Sequence, residues 1–125
     1  HKTHEEGWFL MQTRWMLWLE ENGGLSFLNA IPRRWLTDGQ RIVLHDIATY
    51  FGQANLEVES RLGLDRTIRA TIKCAGPRRP RCVRVRLPHP ESLAAIGVEG
   101  GAYDQATETV TLPAFRGSAT VVLRF

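Results

Sequence analysis

The sequence predicts a mainly β protein: an antiparallel β-sandwich of about eight strands, preceded by one N-terminal α-helix that grades from amphipathic to apolar. Three observations predict it. From Leu25 onward, apolar and polar residues alternate with period two in short runs, the pattern of strands buried on one face. Gly, Pro, Asp and Asn interrupt those runs every eight to twelve residues or so, the turn spacing of a sandwich. Before Leu25 the period is helical instead. The expected organisation is therefore a helical segment 1–24 and a sandwich 25–125, forming one structural unit within 125 residues.

The helix is expected over about residues 4–21. Thr3 followed by Glu6 has the spacing of a capping box, and Asn22-Gly23-Gly24 supplies a left-handed stop. Its stripe of Trp8, Met11, Trp15 and Trp18 is flanked by Phe9, Leu10, Met16 and Leu17, which leaves Gln12, Thr13 and Arg14 to meet water. A helix apolar nearly all round is buried in something larger. Trp8, Met11, Trp15 and Trp18 are thus candidate interface residues, for a second copy in a homo-oligomer or for a helical partner domain. The apolar run is shorter than the ~20 residues that cross a bilayer, so no membrane partner is expected. Any secretion signal is expected to have been removed or to lie upstream, because no small-residue cleavage site follows the run.

Strands are expected near Ser26–Ile31, Arg41–Asp46, Asn55–Leu62, Thr67–Cys74, Cys82–Leu87, Ala94–Glu99, Glu108–Leu112 and Ala119–Phe125. Leu56, Val58 and Leu62, then Ile68, Ala70 and Ile72, then Val83, Val85 and Leu87 should face inward. Outward, Glu57 and Glu59 should meet Arg69 and Lys73, and these Arg84 and Arg86, giving a self-neutralising face. Arg78, Arg79 and Arg81 exceed that balance and could contact an anionic polysaccharide or phosphate. Cys74 and Cys82 bracket the turn Ala-Gly-Pro-Arg-Arg-Pro-Arg. A hairpin there would bring them together, and a disulfide in an oxidising, secreted or periplasmic compartment is one of two open states. Their spacing does not suit zinc.

Sixteen basic against thirteen acidic residues, net +3 with a pI near 9.3, describe a mixed surface and not a nucleic-acid footprint. The run Ala30-Ile31-Pro32-Arg33-Arg34-Trp35-Leu36, then Asp38-Gly39, Thr49-Tyr50-Phe51-Gly52 and Val110-Thr111-Leu112-Pro113, resembles the C-terminal region of bacterial (α/α)6-toroid glycosidase-like proteins. The resemblance implies a last toroid helix followed by a compact β-sandwich. It also implies an accessory role, structural or docking, beside a catalytic toroid that this chain does not contain. Glu99-Gly100-Gly101 departs from the Asn-Gly turn common in the penultimate hairpin of such sandwiches. The expected partners are a polysaccharide or a helical toroid domain.

Two further functions compete. A stand-alone carbohydrate-binding module would stack sugar faces on exposed aromatics, and Trp35, Tyr50 and Tyr103 lie in or beside loops. Trp35 reads equally as core or platform, Tyr50 more as a plug at the sandwich end, and Tyr103 as exposed. A copper-dependent oxidative polysaccharide enzyme would use the amine and ring of His1, with His4, His45 or His89 as partner. Here His1 leads a helix, which is a poor metal platform. His4 and His89 are expected to be exposed and His45 half-buried. Asp38, Asp46, Asp65 and Asp104 fall in turns or strand ends, where Asp bonds its own backbone, so no catalytic residue is assigned. No cofactor is expected outside the copper reading.

Overall fold

The structure, a computed structural model, describes residues 17–113 and 115–125. Among the described residues there are ten strands: β1 (Trp18–Glu21), β2 (Gly24–Phe27), β3 (Arg41–Thr49), β4 (Gly52–Arg61), β5 (Thr67–Ala75), β6 (Val83–Arg86), β7 (Gly97–Glu99), β8 (Ala102–Asp104), β9 (Thr109–Leu112) and β10 (Ser118–Arg124). A 3-10 turn spans Arg33–Leu36. Two five-stranded sheets form, in the orders β1-β2-β6-β9-β8 and β3-β4-β5-β10-β7. Every pairing is antiparallel except β2 with β6.

The two inner faces share one core. Leu25, Phe27, Val83, Val85, Val110 and Leu112 of the first sheet meet Leu56, Val58, Ile68, Ala70, Ile72, Val121 and Leu123 of the second, all buried. Of the inward sets expected from alternation, Leu56 and Val58, then Ile68, Ala70 and Ile72, then Val83, Val85 and Leu87 are buried in the core, because a period of two leaves no other way to bury them, whereas Leu62 lies beyond β4, half-buried at the foot.

The expected helix does not reach its end. Of its residues within the described range, Leu17 is helical and Trp18–Glu21 is a strand. Asn22 and Gly23 both take positive φ, 53° and 76°, the requirement of a two-residue type I′ hairpin turn. The Asn-Gly pair read as a helix stop is therefore a hairpin signal, and the sandwich begins before residue 25. Trp18 sits opposite Phe27 and leans on the core, so it is no free interface residue. Trp8, Met11, Trp15 and His1, like His4, lie outside the described residues. Among the described residues no helix is long and apolar enough to cross a membrane.

Strand neighbours also differ. The crossover 76–82 does not close a hairpin: it carries the chain from β5 in the second sheet to β6 in the first. Glu59 does oppose Arg69 in register, but Arg84 and Arg86 lie on the other sheet. Both cysteines are free thiols, Cys74 buried in the core and Cys82 half-buried beside Gly24, since the hairpin that would join them is not formed. Gly100-Gly101 is likewise a corner between sheets, because β7 pairs β10 and β8 pairs β9.

Strand directions give the sandwich two ends. The head gathers the β1–β2 turn, the β3–β4 turn and the crossover 76–82. The foot gathers the 3-10 turn, the β4–β5 turn, residues 87–96 and the β8–β9 turn.

Candidate functional site

Among the described residues, three surfaces gather most of the chemistry-bearing side chains. The first is a groove of about 660 Å³ on the outer face of the first sheet. Ser26, Arg84 and Thr111 stand in one row across β2, β6 and β9, and Arg86 opposite Thr109 forms the next. Alternation puts them outward because Leu25, Phe27, Val83, Val85, Val110 and Leu112 take the inside. Three guanidinium groups, Arg33, Arg84 and Arg86, face three carboxylates, Glu21, Asp104 and Glu108, so the lining is formally neutral.

One end of the groove is rigid. Arg33 grips Glu108 with two bonds, of 2.8 and 2.5 Å, and donates a third to the His89 carbonyl at 3.0 Å. Arg86 donates to the Ile31 carbonyl at 3.0 Å, and the His89 N–H donates to Glu108. The Arg33 bonds hold the Glu108 carboxyl below the usual range, against the upward push of burial, with the Arg33 and Arg86 charges assisting. Burial lowers the Arg86 pKa, while the same Glu108 bonds raise that of Arg33. A general acid for glycoside cleavage needs the opposite, a raised carboxyl pKa. Glu108 therefore binds and braces; it is not built to donate a proton. Asp104 caps its own turn, accepting from the Ala106 N–H and the Thr107 hydroxyl at 3.1 and 2.9 Å.

The second surface is a cleft of about 600 Å³ at the foot, lined by Thr37, Asp38, Leu62, Arg66, His89 and Phe125 among others. His89 is buried, not exposed as the flanking prolines suggest. Its ring packs on Phe125 with centroids 4.7 Å apart, and Nδ1 accepts the Glu91 N–H at 2.9 Å. Burial lowers its pKa below 6.5, with Glu91 and Glu108 opposing and Arg33 assisting. A group whose neutral form is buried stabilises the fold fully above its unfolded pKa and loses that contribution as the pH falls below it. The unfolding midpoint should therefore fall from pH 7.5 toward 5, and His89→Gln should flatten that part of the profile; a wild-type midpoint constant across the range contradicts this.

The third surface is the head. Tyr50, expected more as a plug, is 63 % exposed, with the Arg78 guanidinium 4.5 Å from its ring centroid. Its neighbour Phe51 is the plug, buried and edge-on to Tyr50 at 5.4 Å. The other two candidate aromatics are less available. Tyr103 is half-buried on the core, its hydroxyl accepting the Ala95 N–H at 3.5 Å, so it is not the exposed ring expected. Trp35 leans on the core and lines a shallow hollow with Arg34, Gln40, Arg41 and Ile42. The structure does not bring the three aromatics together.

No family model, curated protein or solved structure matches this chain.

The remaining candidates are structural. Asp38 accepts the Gly63 N–H at 2.7 Å, and Asp65 accepts the Thr67 hydroxyl at 2.5 Å beside Arg61 and Arg69. His45, exposed and not half-buried, sits with Asp46 in a β-bulge that re-registers β3 on β4. Cys74 is buried and its pKa is raised by desolvation, the reverse of a reactive thiolate. Among the described residues no group of three or more His, Cys, Asp or Glu could hold a metal ion. The groove and its clamp escaped sequence reading because Arg33 and Glu108 are 75 residues apart and no local motif joins them.

Proposed function

We propose that this chain is a non-catalytic accessory β-sandwich of a carbohydrate-active protein, and that it meets saccharide in the groove across β2, β6 and β9. The observation that carries this reading is the neutral, polar lining of that groove. Sugar hydroxyls each donate and accept, and the lining offers matching groups: guanidinium donors, carboxylate acceptors, and the hydroxyls of Ser26, Thr109 and Thr111. Its volume falls within the ~300–1,000 Å³ of small-ligand sites. The Arg33–Glu108 clamp holds one wall before a ligand arrives, which reduces the ordering cost of binding.

Arg84 is the variable element. It is exposed at the centre of its row and makes no ion pair among the described residues, so its donors are free for a ligand. Affinity electrophoresis through gels containing neutral polysaccharides tests the reading. At least one polymer should retard the protein, and Arg84→Ala should weaken that retardation about tenfold, the effect of losing roughly one charged hydrogen bond. Passage of the wild-type chain unretarded through every polymer, or equal retardation of the variant, would reject it.

A further inference from the structure

The head carries a concentration of positive charge that the groove does not explain. The crossover 76–82 presents Arg78, Arg79 and Arg81, and among the described residues none of them makes an ion pair. Lys73 at the head end of β5 and Arg116 in the loop before β10 stand at the same end. Fewer carboxylates oppose them. Glu20 spends an oxygen on the Tyr50 N–H at 3.0 Å, Glu21 lines the groove, and Asp46, held beside Asn55 at the level of Lys73, lies 3.2 Å from His45 Nε2.

The cluster is also held in place. Gly76 and Gly52 lie back to back, so closely that a Cβ on either would strike the backbone of the other's turn. Pro77 and Pro80 fix their φ angles, Pro80 is buried, and the Arg81 N–H donates to the Gly23 carbonyl at 2.8 Å. The crossover is thus strapped to both neighbouring hairpin turns. Arg78 is further fixed over the exposed ring of Tyr50. Guanidinium groups on a braced loop recognise anions at less entropic cost than the same groups on a free one.

We propose that the head is a docking surface for an acidic polysaccharide, its carboxylate or sulfate groups held by Arg78, Arg79 and Arg81 and a sugar ring laid against Tyr50. The proposal rests on the saccharide reading above and adds a second, charge-selective contact to it. Arginine alone would bind any polyanion; the exposed ring beside it is what favours a sugar polymer over other anions, since a ring face offers an apolar surface to the C–H groups of a pyranose.

The test uses the full chain in gels containing polygalacturonate, dextran sulfate or neutral dextran, at about 20 and 300 mM salt. At least one of the acidic polymers should retard the wild-type protein at low salt, and high salt should weaken the retardation at least tenfold. A polygalacturonate response alone assigns the site to carboxylates; a dextran sulfate response alone assigns it to sulfate. The triple variant Arg78→Ala, Arg79→Ala, Arg81→Ala should lose the effect with its unfolding midpoint unchanged, and Tyr50→Ala should weaken it severalfold. Unretarded passage through both acidic polymers overturns the proposal, as does unchanged retardation of the triple variant. Tyr50→Ala behaving as wild type, or duplex DNA or anionic vesicles competing at equal charge concentration, also overturns it, because the surface is then a general polyanion site. Arg84→Ala separates this result from the groove: it should leave acidic binding intact, and a chain that binds acidic but no neutral polymer contradicts the groove alone.

Discussion

Replacing Gly52 with alanine is expected to remove at least about 4 kcal/mol of stability, a large share of the 5–15 kcal/mol that holds a typical domain together. Two effects add. Gly52 has a φ of +111°, where an L side chain is strained by about 1–3 kcal/mol. The larger effect is steric. The new Cβ would overlap the Ala75 carbonyl oxygen and stand 2.9 Å from Gly76 Cα, and both obstacles are backbone. Relief requires moving the end of β5 and the crossover away from the β3–β4 turn, which opens the last pair of the β4–β5 ladder, Gln53 with Ala75. Gly39→Ala separates the two effects, because Gly39 also has a positive φ, +84°, but nothing lies within 4 Å of its added Cβ. Urea unfolding should show a midpoint loss for Gly52→Ala several times that of Gly39→Ala. Equal losses would mean that the close approach of the two turns is not fixed in solution.

That close approach marks the limit of what the sequence discloses. Alternation along Leu56–Val58, Ile68–Ala70–Ile72 and Val83–Val85–Leu87 fixes which face of each strand is buried, since slipping by one residue would put every apolar group in water. It does not name a strand's neighbour. β5 and β6 are adjacent in sequence and look like a hairpin around a Gly-Pro turn, yet they belong to different sheets. The same ambiguity affects Trp18–Glu21. Leu and Glu favour a helix by a few tenths of a kcal/mol per residue, and pairing with β2 through the Asn22–Gly23 turn outweighs that preference. Asn-Gly ahead of Leu25-Ser26-Phe27 was the legible sign of a hairpin. The short strands β7, β8 and β9 are partly legible: the pattern predicts β9, β7 occupies half of its expected run, and β8 has too few apolar residues to register a period.

Candidate site residues were less legible than strands because their roles come from long-range partners. Tyr50 and the three crossover arginines are identifiable in sequence as an aromatic and a charge cluster; their adjacency depends on Gly52 meeting Gly76. Glu108 carries no sequence motif at all. Its importance appears only when Arg33, Arg86 and the His89 backbone converge on it.

Glu108→Ala is the second large effect, expected to cost about 2–4 kcal/mol, from the loss of several charge-assisted hydrogen bonds around a nearly buried carboxylate. The Glu108 side chain is 13 % exposed, whereas that of Arg33 is 38 % exposed. Without its partner Arg33 can turn toward water, which limits the loss, but Arg86 cannot do so as readily, because burial already disfavours its charge and the Glu108 carboxylate offsets that penalty. The wild-type protein should show the same interaction in acid. Because the Glu108 pKa is lowered on folding, its contribution is complete above the ordinary value near 4.5 and is lost as the pH falls through the lower folded value. Glu108→Gln keeps an acceptor for Arg33 and the His89 N–H but removes the charge, so it should fall between wild type and alanine at pH 7 and approach wild type in strong acid. Urea midpoints for the three proteins at pH 7 and near pH 3 measure this convergence. If the gap between wild type and Glu108→Gln is the same at both pH values, the clamp holds by packing and neutral hydrogen bonds, and the wall of the groove does not depend on its charge.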